Sequence, residues 1–360
     1  VRRTAALIVG GGPAGSAAAI ALARAGIGAE LVERTEGPHD IVCGGFLGWD
    51  ALAALERLGL DPAALGARPI GRLRLVSAKR SIEVALPRPA AGLSRRTLDE
   101  ALLDVAARAG VAVGRGRTVR AVDLAERRIR LDDEAGLSGE ALVLATGKHE
   151  LRGGARPVDI STRPLGLRSA LEAGPGLARA LDGVIELHLY DGGYAGLLMQ
   201  EDGRANFCLS ASRERLKEAG GIEPLVARLA AELPAFGERL GQGEPGGWTA
   251  VSGVPYGWRA SETVEGVYRV GDQASVIASL AGDGIAIALE SGVAAARAIA
   301  AGTSAPDYQR DWASRARRPV GLAEMLRFAA EHGVSRQAMM GLLGWFPALA
   351  PLAARLTRIG

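Results

Sequence analysis

The chain has 360 residues, more than one small hydrophobic core organises, and its 48% hydrophobic and 23% charged content excludes a disordered or fibrous protein. Its net charge of +3 comes from scattered arginines and only three lysines (Lys79, Lys148, Lys217), with no basic block of the kind that binds nucleic acid. Two cysteines, Cys43 and Cys208, exclude a disulfide framework, and no Cys/His cluster has metal-ligand spacing, so no metal is expected and a reducing cytoplasm fits.

In chain order, residues 5–9 read as a short buried strand, too short for a signal-peptide core. A glycine cluster follows, Gly10-x-Gly12-x-x-Gly15 with Pro13 and Ala14 inside it, and then a helix of small residues over 16–25. Each glycine has a separate task in a dinucleotide site: Gly10 permits a tight turn, Gly12 lets the backbone approach a pyrophosphate, and Gly15 lets the helix pack on the strand. The helix N-terminus then offers free N–H groups to the phosphates. A second strand over 29–32 ends at Glu33, placed to accept from ribose hydroxyls, and at Arg34, placed to cover adenine or a phosphate.

Residues 70–87 alternate as strands, and Ser94-Arg95-Arg96-Thr97 opens a helix. A strand ends at Ala145-Thr146-Gly147, and His149 beyond it reads as a surface loop residue near the cofactor. Residues 174–176 and 241–247 read as loops. Residues 190–210 form a hairpin with Asp202-Gly203 at its turn. The stretch 254–258 leads back to a strand over 267–270 that stops at Gly271-Asp272. Gly282-Asp283-Gly284 then opens a helix from Ile285 to about residue 300.

Two nucleotide-facing glycine segments so far apart suit one long ligand, and FAD has that shape. Asp272 is placed to bond a ribityl hydroxyl, and the helix after Gly284 would aim its N-terminus at the flavin. Residues 306–360 read as helical. Their apolar part, 341–356, carries Trp345 and Phe346 and reads as a packing helix pair, with a peripheral membrane contact as the alternative. No stretch reaches the length of a transmembrane helix.

Together these segments resemble the geranylgeranyl reductase-type flavoproteins of the p-hydroxybenzoate hydroxylase superfamily, over most of residues 1–300. The resemblance implies an α/β (α+β overall) fold: a Rossmann-like FAD-binding domain with an inserted β-rich substrate domain and a C-terminal helical segment. The expected division is 1–60, 93–160 and 258–305 for FAD, 61–92 and 161–257 for substrate, and 306–360 for a helical cap. It places Arg95 beside the FAD, the Val119 backbone at the adenine, and Ala145-Thr146-Gly147 under the cofactor.

Cys43-Gly44-Gly45 is similar to the reductases' Cys-Gly-Gly segment near the flavin ring. Cys43 is then a redox or proton-relay group, or else a small buried thiol. Gly282-Asp283-Gly284-Ile285 is nearer the reductases' Gly-Glu-Gly-Ile than the hydroxylases' pattern, in which Ser279 would be proline. The hairpin keeps the reductases' tyrosine as Tyr194 but has Gly196 where they have tryptophan, and Leu198-Met199 for Phe-Pro. Tyr194, Gly196, Tyr256 and Trp258 are expected around the substrate, with interdomain packing as the other role for Tyr256 and Trp258. The implied reaction is reduction of a carbon–carbon double bond in an apolar small molecule by reduced FAD, with NAD(P)H or another electron donor. A monooxygenase acting on an aromatic or phenolic lipid is the alternative, and a flavin-binding protein without turnover the second. Oligomeric state is left open.

Overall fold

The parallel pairing of Arg2–Val9 with Ala29–Val32 on one side and Gly136–Leu144 on the other builds the centre of the fold. A computed structural model describes residues 2–359. The described residues form two sheets. The first orders its strands Ala112–Gly114, Ala29–Val32, Arg2–Val9, Gly136–Leu144, Arg128–Leu131 and Val119–Asp123, and Val267–Arg269 also pairs with Gly136–Leu144.

In the first strand Ala6 and Ile8 face the helices, while Leu7 and Val9 face the opposite core with Leu142 and Leu144. Burial on both faces explains why these strands read as unbroken apolar runs. The helices Pro13–Arg24 and Gly284–Ala300 pack so closely that a Cβ on Gly292 would lie 2.2 Å from the Ala14 carbonyl oxygen. The small residues after the glycine cluster therefore set the distance between these two helices.

The second sheet has nine strands, in the order Gly243–Pro245, Leu165–Ala173, Ala205–Ala211, Gly193–Met199, Val184–Tyr190, Arg68–Val76, Ser81–Gly92 and Phe46–Leu47, with Thr249–Val251 paired to Leu165–Ala173. The hairpin forms as read, Gly196 opposite Cys208 and the turn closed by Gln200 and Arg204. One face of this sheet packs on Ile222–Glu232 and Pro234–Leu240 through Phe207, Leu229 and Phe236. The other packs on the C-terminal helices through Leu75, Leu187, Tyr194, Met340 and Leu343.

Some local expectations differ. Residues 174–176 start a short helix, Pro175–Ala180, because proline suits a first helical turn. Within 241–247 lies the edge strand Gly243–Pro245, drawn into the sheet by Leu165–Ala173. Phe46–Leu47, from a segment read as part of the first unit, pairs with Ser81–Gly92 in the second sheet. The C-terminal segment is helical: Ala305–Glu331, Gly333–Trp345 and Leu349–Leu356.

Candidate cofactor and substrate site

At the C-terminal end of the first strand Gly10 turns with φ +106°, where a Cβ would stand 2.4 Å from the Ala145 carbonyl oxygen. A Cβ on Gly15 would come within 1.9 Å of the Gly10 oxygen, so Gly15 serves the cradle by packing rather than by lining it. Gly12 caps the helix Pro13–Arg24 with no side-chain bond, leaving the N-terminus open beside Pro13 and Ala14. The Glu33 carboxylate accepts from Gly11 N–H at 2.7 Å and from Thr35 N and Oγ1 at 2.9 Å. Burial pushes its pKa up, but these bonds outweigh burial and hold it below the usual value. A carboxylate offers about four lone-pair sites, so Glu33 keeps capacity for a further donor. Burial, then the Arg34 charge, holds His149 below its ordinary pKa, so its Nε2 accepts from Arg34 Nη2 at 3.0 Å.

A cavity of about 910 Å³ runs from this cradle to the second sheet. Its wall includes Val119, Ala145, Thr146, Gly147, Gly271, Asp272, Gly282, Gly284 and Ile285, so the two glycine segments meet one space. Ser94 caps the helix Arg95–Arg108 by accepting from Thr97 N–H at 3.1 Å. Arg95, at its first turn, forks onto Asp99 with bonds of 2.8 and 2.6 Å. Burial opposes the Arg95 charge, but the Asp99 carboxylate outweighs it. Lys148 binds Asp272 at 3.0 Å and is likewise held charged against burial by that carboxylate. Lys148 was only counted as a lysine in the sequence; its position just after Gly147 was the available signal.

The loop carrying Cys43, Gly44 and Gly45 is tied to the second sheet. Asn206 Nδ2 donates to the Cys43 and Gly44 carbonyls at 3.0 and 2.8 Å, and Cys208 Sγ donates to the Cys43 carbonyl at 2.8 Å. Gly45 has φ +67° and lies so near Gln200 and Leu93 that a Cβ would stand 2.7 Å from Gln200 Nε2. Burial pushes the Cys208 thiol up to about 12, so it stays a protonated donor. The approach of the two cysteines, 165 residues apart, had no signal in the sequence.

Tyr194 and Tyr256 meet through one hydroxyl. Ser279 Oγ is hydrogen-bonded to Tyr194 Oη and, at 2.7 Å, to Tyr256 Oη. Burial raises the Tyr194 pKa well above its ordinary value, so the phenol holds its proton. These three residues and Gly196 line the cavity. Beyond them the wall is apolar, from Leu73, Leu75 and Leu187 of the sheet to Met339, Leu343 and Leu349 of the C-terminal helices.

Two expected residues lie elsewhere. Trp258 is absent from the cavity wall; its indole donates to the Gln273 carbonyl at 3.3 Å while the ring packs on the first core. Asp283 is fully buried and turned toward the chain end, accepting from Arg358 Nη1 at 2.8 Å and Ile359 N–H at 3.2 Å. Burial raises its pKa to about 6 against the pull of Arg358.

Residues 3–148 match the protein family described as FAD binding domain. The chain is similar to a menaquinone reductase of Mycolicibacterium smegmatis, 32% identical over 156 residues, a match spanning 41% of this chain and 38% of that protein. Its fold resembles that of the flavin-dependent brominase Bmp2, with a TM-score of 0.82 at 17% identity over 99% of this chain and 93% of the other. It also resembles a geranylgeranyl bacteriochlorophyll reductase-like protein of Thermoplasma acidophilum, with a TM-score of 0.76 at 20% identity over 93% and 89% of the two chains.

Proposed function

We propose that this chain, which carries an FAD-binding domain over residues 3–148, is an FAD-dependent oxidoreductase that reduces a carbon–carbon double bond in an apolar, prenyl-type molecule. The observation behind this reading is the single cavity, glycine-rich at one end and apolar at the other, with a thiol and a phenol between. The similarity to a protein named menaquinone reductase supports it, since menaquinone is itself a prenylated quinone.

The residues present fit FAD. Space beside Gly12 is bounded only by the end of the Arg95 side chain, whose Nη2 would stand 3.2 Å from an added Cβ. Gly12 and the open helix N-terminus would hold the pyrophosphate, with Arg95 as counter-charge, and Glu33 would take ribose hydroxyls. Gly44, Gly45, Gly282 and Gly284 would flank the ring, and Asp272 would take a ribityl hydroxyl. Bound there, FAD supplies the electron pair of the reduction, replenished by NAD(P)H or another donor.

The chain's own part is geometry and one proton. The sheet and the C-terminal helices exclude water from the far end and align an extended apolar chain. Asn206 and Cys208 fix the Cys43 loop, so Cys43 Sγ keeps its place beside Arg95. Cys43 Sγ supplies the proton that completes saturation, while Ser279 joins the Tyr194 and Tyr256 hydroxyls at the cavity wall.

The test is reduction of the bound flavin by dithionite without oxygen, addition of prenylquinones or geranylgeranyl compounds, and mass analysis of the products. Gain of two hydrogens without air is the expected result. Gain of oxygen, and only in air, would replace this reading by oxygenation. Cys43→Ala should lower kcat by about 100-fold with the flavin spectrum intact, whereas an unchanged kcat would remove Cys43 from the proton step.

A further inference from the structure

The last two helices present an apolar surface outward. Along Gly333–Trp345, residues 334, 338, 342 and 345 share one face, by their spacing of four, four and three. On that face Val334 is 88% exposed, Trp345 82% and Leu342 51%, and beyond the helix Phe346 is 60% exposed. The opposite face, with Met340 and Leu343, is buried against the second sheet. A surface helix ordinarily shows water its polar side. Leu342 is both half-exposed and part of the cavity wall, so the outer face adjoins the cavity mouth.

We infer that Gly333–Trp345 and Leu349–Leu356 dock on an anionic lipid bilayer and open the cavity to it. Charge supports a bilayer over a second copy. Residues 332–360 contain three arginines and no carboxylate side chain. Arg80, on the turn before Ser81–Gly92, lies near Gly341, its Nη1 3.5 Å from where a Cβ on that glycine would stand, and Lys79 beside it is exposed. Arg336 and Arg358 are paired with Asp191 and Asp283. Lys79, Arg80 and Arg355 are exposed and have no ion pair among the described residues, Arg355 on the last helix and Lys79 and Arg80 on the turn beside Gly341. Two such faces would repel each other, whereas anionic headgroups neutralise both.

The helices lie on the membrane rather than cross it. At about 1.5 Å per residue they are roughly 20 and 12 Å long, against a hydrocarbon core of about 30 Å. They are also bent by 117° at their junction. Trp345 and Phe346 at the bend would enter the headgroup boundary with Arg355 beside the phosphates. Delivery of substrate through the mouth rests on the proposed apolar substrate; docking itself does not.

The test is sedimentation of the flavin-loaded full chain with phosphatidylcholine vesicles, with and without phosphatidylglycerol, alongside sizing without lipid. Binding should require phosphatidylglycerol and weaken with salt. The double variant Trp345→Ser, Phe346→Ser should bind about tenfold less, with flavin content and melting temperature unchanged. Absence of binding to either vesicle, equal binding by the variant, or a lipid-free dimer that the variant disperses would each overturn the inference. None of these readouts depends on turnover, so failure of the reductase reading would register separately.

Discussion

At Gly12 the nearest atom to an added Cβ is the mobile end of Arg95, at 3.2 Å, while at Gly15 it is the Gly10 backbone oxygen, at 1.9 Å. The first neighbour yields and the second does not. Gly12→Val should therefore fold with a near-parental melting temperature and purify without visible flavin absorbance. Gly15→Val should lose about 3 kcal/mol or more of stability, read from its denaturant midpoint. A yellow Gly12→Val protein would remove the pyrophosphate from this loop. The glycines and Glu33 were legible in the sequence because their spacing, and the strand and helix on either side, are local. Trp258 and Asp283 were not, because each is claimed by a distant partner: the Gln273 carbonyl for one, Arg358 and Ile359 for the other.

Between elements, an ionic knot joins strand, strand and helix behind the cavity. The fully buried Glu186 binds Arg74 Nη1 at 2.6 Å, Arg239 Nε at 3.1 Å and His188 Nε2 at 2.7 Å. Burial alone would raise its pKa, yet these partners bring it down to about 2, from an ordinary 4.5. A lowered acid stabilises the fold above its unfolded pKa, and that stability is lost as pH falls toward the folded value. The window is thus about pH 4.5 down to 2. Glu186→Gln should flatten the acid slope of stability in this window and cost about 3 kcal/mol at neutral pH, by removing the buried carboxylate that Arg74 and Arg239 share and leaving them only the more exposed Glu83 and Glu238. Denaturant titrations of both proteins from neutral to acid pH would show it, and parallel slopes would contradict it. Element types were readable in advance where periodicity was strong, as in the hairpin and the helix after Gly284. The edge strand Gly243–Pro245 was not, since its glycines and proline signal a loop and only pairing with Leu165–Ala173 makes it a strand.

At the scale of the whole molecule, a ligand seated between the two sheets and the C-terminal helices stabilises all of them together. Free FAD at about 100 times its Kd should add roughly 2.7 kcal/mol to unfolding, with the melting temperature rising further as FAD increases. A melting temperature indifferent to FAD would contradict the assigned cavity. By itself the sequence marked the glycine segment of the part that matches an FAD binding domain and, through Gly271-Asp272, Gly282 and Gly284, a second segment that lines the same cavity. These are short-range patterns: Gly10, Gly271 and Gly282 take left-handed backbone and Gly15 packs on the Gly10 oxygen. Only the tertiary structure decided that Cys208 supports Cys43, that Ser279 joins Tyr194 to Tyr256, and that the C-terminal helices complete the apolar wall. Sheet register and helix docking bring together residues that lie scores of positions apart, and no local spacing records such contacts.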